Sequence, residues 1–213
     1  MAKERIVYIC NQCGYKAVKW AGKCSSCNNW NTLIEEVEIK TKTGTKSVSL
    51  SLKDIGNKIQ KRGEIKTNVE VRIPTPDEEF NRVLGGGVVI GSLVLVGGKP
   101  GIGKSTLMLQ LGLSWKGQKV LYFSGEESVN QINLRAQRLS GANEELYYVS
   151  DTSFETLEAA IKEIEPNIIV IDSIQTLQKQ EVESSPGGIT QIRECTNQLM
   201  QIAKQADCTI FII

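Results

Sequence analysis

The sequence predicts an α/β protein: a largely parallel sheet with helices on both faces, preceded by a small metal-bound ribbon. Three observations predict it. From residue 67 onward, short apolar runs alternate with stretches of helical periodicity, the pattern of successive βαβ units. The first strong run leads into Gly98-Lys99-Pro100-Gly101-Ile102-Gly103-Lys104-Ser105, which has the G-x4-G-K-[ST] spacing of a phosphate-binding loop. Near the start, Cys10-x2-Cys13 and Cys24-x2-Cys27 stand ten residues apart, the spacing of two facing metal knuckles.

The chain has 213 residues, room for one ordinary domain and a small satellite. With 40% hydrophobic and 23% charged residues its composition is globular, which excludes a disordered tail or a fibrous protein. No apolar run approaches the ~18 residues of a membrane span, so no membrane partner is expected. Met1-Ala2-Lys3-Glu4-Arg5 lacks the apolar stretch of a secretory signal, and a cytoplasmic location with reduced thiols is expected. Histidine is absent. Any general base is then a carboxylate, lysine, tyrosine or cysteine, and any metal site uses thiolates or oxygens. The net charge of +1 hides an asymmetry. Residues 1–66 carry 13 basic and 6 acidic side chains, and residues 67–213 carry 12 and 18. Two units with different partners fit that split, and the basic third suits either nucleic acid or a solvated linker.

Residues 1–37 read as a four-cysteine zinc ribbon. Each Cys-x2-Cys makes a tight turn whose thiolates point at one tetrahedral ion, and Gly14 and Asn28, just after the pairs, suit the left-handed turns this needs. Disulfides are the alternative, and a reducing compartment argues against them. So short a segment cannot bury enough apolar surface to fold unaided, so the ion contributes much of its stability. With Cys10, Cys13, Cys24 and Cys27 all ligating, Zn²⁺ keeps no open position for catalysis. Trp20, Trp30 and Tyr15 cluster with Lys16, Lys19 and Lys23. Either the aromatics cover the zinc core, or they stack on bases while the lysines meet phosphates. A core role is expected for Trp30; Trp20 is left open. Residues 38–66, rich in Lys, Thr and Ser, read as a basic flexible linker with a short helix near 52–59.

Residues 67–213 form the α/β core. Thr75-Pro76-Asp77-Glu78 predicts a helix start with Thr75 as N-cap and Pro76 in the first position, and Gly85-Gly86-Gly87 stops that helix. Strands are expected over 93–96, 120–123, 146–149, 168–171 and 209–213, and helices over 106–115, 128–139, 154–164 and 189–206. Ser128 and Gln131 supply a capping box, Gly141 reads as the C-cap of the same helix, and Cys195 and Cys208 read as core residues.

Ligands of parallel sheets sit at the carboxyl ends of the strands. In the glycine loop, successive backbone N–H groups curl around phosphate oxygens, and the next helix points its positive end at them. The residues expected to bind nucleotide are therefore Gly98 to Ser105, together with Thr106 and Asp172. Lys104 is expected to reach the β- and γ-phosphates of ATP and assist catalysis, and Ser105 to bind Mg²⁺. Ile168-Ile169-Val170-Ile171-Asp172 is a buried strand closing on a carboxylate, the Walker B arrangement in which Asp172 holds Mg²⁺ through water. Ser173 stands where a transporter-type ATPase places its catalytic Glu, which counts against that class. Tyr122-Phe123-Ser124-Gly125-Glu126-Glu127 puts two acids at another strand end. Glu126 is expected to polarise the attacking water, and Glu127 suits the start of a helix. No Asn/Thr-Lys-x-Asp motif follows to read guanine, which counts against a GTPase.

Cys-x2-Cys-Gly-Tyr, Trp20-Ala21-Gly22-Lys23-Cys24, Trp30-Asn31-Thr32-Leu33-Ile34-Glu35-Glu36, Leu84-Gly85-Gly86-Gly87, the phosphate loop, Ser124-Gly125-Glu126-Glu127-Ser128 and Ile171-Asp172-Ser173-Ile174-Gln175 occur in one order. Together they resemble the bacterial RadA (Sms) family of DNA repair proteins, relatives of the RecA recombinase with a RecA-like P-loop NTPase core. The resemblance implies a DNA-dependent ATPase that processes and branch-migrates recombination intermediates. It implies single-stranded and branched DNA and the RecA recombinase as partners, and a homohexameric ring with nucleotide between subunits. It matches Glu126 to the catalytic glutamate, Asp172 to the Walker B aspartate, and 178–188 to the first DNA-facing loop. Lys99 stands where the family has Asp. The chain stops at Thr209-Ile210-Phe211-Ile212-Ile213, in a core strand, where the family continues with Lys-Asn-Arg-Phe-Gly and a protease-like domain. The sequence therefore reads as a truncated core. Two other readings are a zinc-dependent DNA- or protein-binding module with a nucleotide switch and little turnover, and a small-molecule kinase, which leaves the four cysteines without a role.

Overall fold

Two stretches of alternating side chains, β1 (Lys3–Cys10) and β3 (Leu33–Lys40), pair antiparallel from Lys3 opposite Lys40 to Cys10 opposite Leu33. A two-residue strand β2 (Lys16–Ala17) joins the other edge of β1. The computed structural model describes residues 3–40, 61 and 71–213; most of the expected linker, with its short helix near 52–59, lies outside the described residues. In the ribbon, Gly14 and Asn28 adopt φ of 71° and 61°, as expected of the turns after each cysteine pair. Each turn closes with a backbone bond, Gly14 N–H to Cys10 and Asn28 N–H to Cys24. Cys10, Cys24 and Leu33 fill the small interior. Trp30 has no place among them, and the expectation that it is a core residue is corrected: it is 71% exposed.

In the core, β4 (Arg72–Ile73) pairs antiparallel with β5 (Val88–Val89) beneath helix α1 (Glu78–Val83). The N-cap of α1 is Asp77, whose carboxylate accepts from Phe80 N–H at 2.7 Å, and not Thr75. Asp77 places a full negative charge at the positive end of the helix, beside Glu78 and Glu79. Buried Thr75 instead shapes the approach, its hydroxyl donating to the Asp77 carbonyl while Asn81 clamps its backbone. The helix ends, as expected, at the triple glycine.

Five strands make one parallel sheet: β6 (Leu93–Leu95), β7 (Val120–Ser124), β8 (Leu146–Ser150), β9 (Ile168–Asp172) and β10 (Thr209–Ile212), in the order β6-β10-β9-β7-β8. Between them run α2 (Lys104–Ser114), α3 (Val129–Ala136), α4 (Phe154–Ile164) and α5 (Ile189–Gln205). Alternate strand residues face opposite sides. Leu121, Phe123, Ile169, Ile171, Ile210 and Ile212 pack on α4 and α5. Val120, Tyr122, Ile168, Val170 and Phe211 pack on α1, α2 and α3. This is the α/β architecture expected of a RecA-like core, and among the described residues no helix is long and apolar enough to cross a membrane.

Two boundaries differ from expectation. Helix α2 starts at Lys104 because Gly103, at φ 100°, turns the chain straight into it. Helix α3 ends at Ala136 with Gln137 as C-cap, and Gly141, expected to cap it, lies against the Leu113 backbone, where a Cβ would come within 2.6 Å. The capping box of Ser128 and Gln131 forms as expected.

Phe211 is fully buried, with ring centroids 6.1 Å from Phe80 and 6.2 Å from Trp115. Phe211→Ala should cost about 3–5 kcal/mol in urea denaturation, and a loss below about 1 kcal/mol would contradict its place at the centre of this layer.

Candidate nucleotide and metal sites

The phosphate loop leaves the end of β6 and enters α2 through Gly101 and Gly103, whose φ of 75° and 100° bend the backbone as few other residues can. Gly103 offers no side chain to cap α2. The first-turn amides therefore have no intrahelical partner and face the loop's concavity, the arrangement that receives an anion. The Lys104 ammonium folds over the loop and donates to the carbonyls of Gly98 (3.0 Å) and Lys99 (3.2 Å).

A cavity of about 560 Å³ opens at this edge of the sheet. It gathers Gly98, Pro100, Gly101, Lys104 and Ser105 from the loop, Glu126 from beyond β7, and Asp172 from β9. Leu95, Val96 and Gly97 before the loop, with Ser173, Ile174, Gln175 and Ile213, complete the wall. Lys99, Ile102, Gly103 and Thr106 belong to the loop and the first turn without forming its lining among the described residues. The donor set suits a nucleotide with its magnesium: amides and an ammonium for phosphate oxygens on one side, a hydroxyl and carboxylates for a hard cation on the other.

Register explains the meeting of acids. Ser124 pairs with Asp172 across β7 and β9, so the two strands end level. The chain leaves β7 through Gly125, where a Cβ would lie 2.2 Å from the Thr176 hydroxyl; only glycine fits. Buried Ser124 accepts from the amides of Glu126 and Glu127 and fixes the turn. The Glu126 carboxylate then accepts a hydrogen bond from Ser173 Oγ at 2.7 Å. Glu127 turns the other way and pairs with Arg135 at 2.8 Å.

Asp172 is 4% exposed and is supported by groups that periodicity did not single out. Tyr122 OH donates to Asp172 Oδ2 at 2.6 Å and accepts from Arg135 Nη2 at 3.1 Å. The same hydroxyl lies 3.4 Å from the Ser105 carbonyl. Burial, and then the adjacent Asp172 charge, push the Tyr122 phenol far above its usual pKa, so it stays a donor. The relay Glu127–Arg135–Tyr122–Asp172 thus ties α3 to the end of β9. The sequence signal was slight: a tyrosine at an inward position of an apolar strand.

The 178–188 segment is held by Gln191, buried in the first turn of α5, whose side chain bonds Lys179 N–H and the carbonyls of Lys179, Val182 and Ser184. Lys179 is engaged with Gln198 (2.7 Å) and Glu181 (3.3 Å). Its charge is thereby partly balanced within the chain.

In the ribbon, the sulfurs of Cys10, Cys13, Cys24 and Cys27 lie within 4.8 Å of one another, with Cys10–Cys27 and Cys13–Cys24 at 3.6 Å. Tetrahedral zinc with bonds of ~2.3 Å sets its sulfurs ~3.8 Å apart, so the four positions fit that ion. Burial opposes the Cys10 thiolate, but Thr32 and the amides of Gln12 and Cys13 outweigh it and bring its pKa to about 6. The Cys27 amide chiefly lowers Cys24. The Asn29 amide favours the Cys27 thiolate, yet burial and the neighbouring cysteines push it to about 11. Four thiols this close cannot all ionise without a cation among them. Cys195 and Cys208 are buried in the core, where burial holds both near 11, as protonated packing residues.

A family profile described as "AAA domain" matches residues 59–213. The chain belongs to the AAA-domain family. A second profile, "Rubredoxin metal binding domain", matches residues 8–35, which hold all four ribbon cysteines. The whole chain is similar to proteins named DNA repair protein RadA: 48% identical over 216 positions in Halalkalibacterium halodurans, 47% over 215 in Bacillus subtilis and 45% over 221 in Listeria monocytogenes. The resemblance to RadA thus runs from the ribbon through the AAA domain. The chain spans about half the length of these relatives, 46–47% of each.

Cys10→Ser should remove zinc and the dispersed amide resonances of the ribbon while leaving those of the AAA domain; full zinc content in the variant, read by atomic absorption, would refute the four-sulfur site. Tyr122→Phe strips Asp172 Oδ2 and Arg135 of a buried partner and should cost about 1–3 kcal/mol in denaturant titration; an unchanged midpoint would deny the relay a structural role.

Proposed function

We propose that this chain is the zinc-ribbon and motor portion of a DNA-dependent ATPase that works in recombinational DNA repair, processing and branch-migrating recombination intermediates. The observation that carries the reading is the convergence of Lys104, Ser105, Glu126 and Asp172 on one cavity at the carboxyl edge of the sheet. In this reading residues 1–37 are the ribbon, 38–66 a linker and 67–213 the motor.

Each residue has a task set by its chemistry. The amides of Gly101 to Ser105 and the Lys104 ammonium bind the terminal phosphates of ATP and offset the charge that develops during transfer. Ser105 and Asp172 hold Mg²⁺, which when bound neutralises phosphate charge. Glu126 orients and polarises the attacking water as general base, in a chain with no histidine to do so. The Ser173 hydroxyl steadies the Glu126 carboxylate in a defined rotamer. Asp172 keeps its orientation through Tyr122.

By the names of its relatives and the family resemblance, the reading extends to single-stranded and branched DNA as substrate, the RecA recombinase as partner, a homohexameric ring and a cytoplasmic setting. Lys99 adds a cation beside the loop; because the loop grips through amides, phosphate binding tolerates it.

ATP turnover measured with and without single-stranded DNA tests the reading. Turnover should rise with DNA, fall at least ~100-fold in Glu126→Gln with nucleotide still bound, and vanish with nucleotide affinity in Lys104→Ala. Tight nucleotide binding with no turnover, unchanged by Glu126→Gln, would favour the binding module with a nucleotide switch instead.

A further inference from the structure

Two tryptophans of the ribbon stand outside its cysteine core. Trp20 is 59% and Trp30 71% exposed, whereas Trp115, the third in the chain, is buried. The two indoles converge on Gly22: a Cβ there would lie 3.6 Å from the Trp30 ring and 3.9 Å from that of Trp20. Their positions are held by the backbone. Lys23 bridges to Trp30, Asn31 N–H donates to the Gly22 carbonyl at 2.8 Å, and Cys24 N–H donates to Asn29 at 2.9 Å. The Lys23 ammonium stands 5.8 Å from the Trp30 ring centroid, within cation–π range.

Exposed indoles on a rigid frame mark a surface that meets a partner. Charge selects among partners. From residue 6 to residue 34 every charged side chain is a lysine: Lys16, Lys19 and Lys23. All three are exposed, and Lys23 stands beside Trp30. Glu35, which accepts from the Tyr8 hydroxyl at 3.4 Å, is the first carboxylate after them. A flat aromatic pair beside cations, with no carboxylate in that stretch, complements a ligand with π-faces strung on phosphates. A duplex hides its base faces in the stack, so the ligand is single-stranded.

We propose that Trp20 and Trp30, with Lys23 beside them, form a stacking platform for single-stranded nucleic acid, built from residues other than those of the 178–188 segment and the nucleotide cavity. The proposal rests on the preceding functional reading only in its choice of DNA as the probe. The ribbon then contributes directly to holding the strand, with the bases on its indoles and the backbone along its lysines.

The test uses the full zinc-loaded chain and a labelled oligo-dT. Binding followed by anisotropy should weaken about tenfold in Trp20→Ala/Trp30→Ala, with zinc content unchanged, and recover largely in Trp20→Phe/Trp30→Phe, which keeps rings for stacking. Oligo-dT should also quench the emission of the two exposed tryptophans, less so as salt is raised. Wild-type affinity in the alanine variant, or saturating DNA that leaves tryptophan emission untouched, overturns the platform. So does an alanine variant that loses a protein partner while keeping DNA affinity, which assigns the face to that protein. Quenching without DNA-stimulated ATP turnover supports the platform and defeats the motor reading; stimulated turnover without quenching does the reverse.

Discussion

Because β9 pairs in parallel register with β7 on one side and β10 on the other, and β6 lies beside β10, the chain leaves all four strands at one edge of the sheet. Loops from distant parts of the sequence are forced together there. The phosphate loop after β6, the acidic turn after β7 and the carboxylate at the end of β9 have no choice of neighbour. Side-chain parity does the rest. Tyr122 and Asp172 fall on the face that α2 covers, so a phenol reaches a carboxylate beside the helix that starts at Lys104. A shift of one residue in the pairing of β7 with β9 would send Tyr122 to the opposite layer and undo the arrangement.

The two units are stable for different reasons. The AAA domain has apolar layers on both faces of its sheet, and its two extra cysteines are inert packing groups. The ribbon buries only Val7, Cys10, Cys24, Thr32 and Leu33 among its described side chains. Its four sulfurs are crowded, two of them drawn toward ionisation and one held back from it, an imbalance that a bound cation would relieve. The aromatic side chains take no part in that interior, and the two tryptophans stand outside.

What could be read in advance was whatever local chemistry determines. The cysteine spacing, the left-handed turns at Gly14 and Asn28, the Ser128 capping box and the helix over 154–164 each depend on residues close in sequence. The Tyr122–Arg135 relay was not legible, because an apolar run covered on both faces does not reveal which alternate residues look toward a given helix. Nor was the cap of α1, where Thr75 and Asp77 compete and the full charge wins. Trp30 misled for a third reason. Hydrophobicity argues for an interior, and this interior is already filled by sulfur and one leucine.

The four bonds made by the buried Gln191 amide have a mechanical corollary. One amide fastens residues 179, 182 and 184 to the opening turn of α5, while Gln178 is bonded to Thr152 and Phe154 and Gln180 to Glu155, so the stretch cannot shift by itself without stranding several polar atoms. The stretch thereby joins the opening turn of the 17-residue α5 to the turn that starts α4. The segment is better understood as a clasp between two helices than as a hinge.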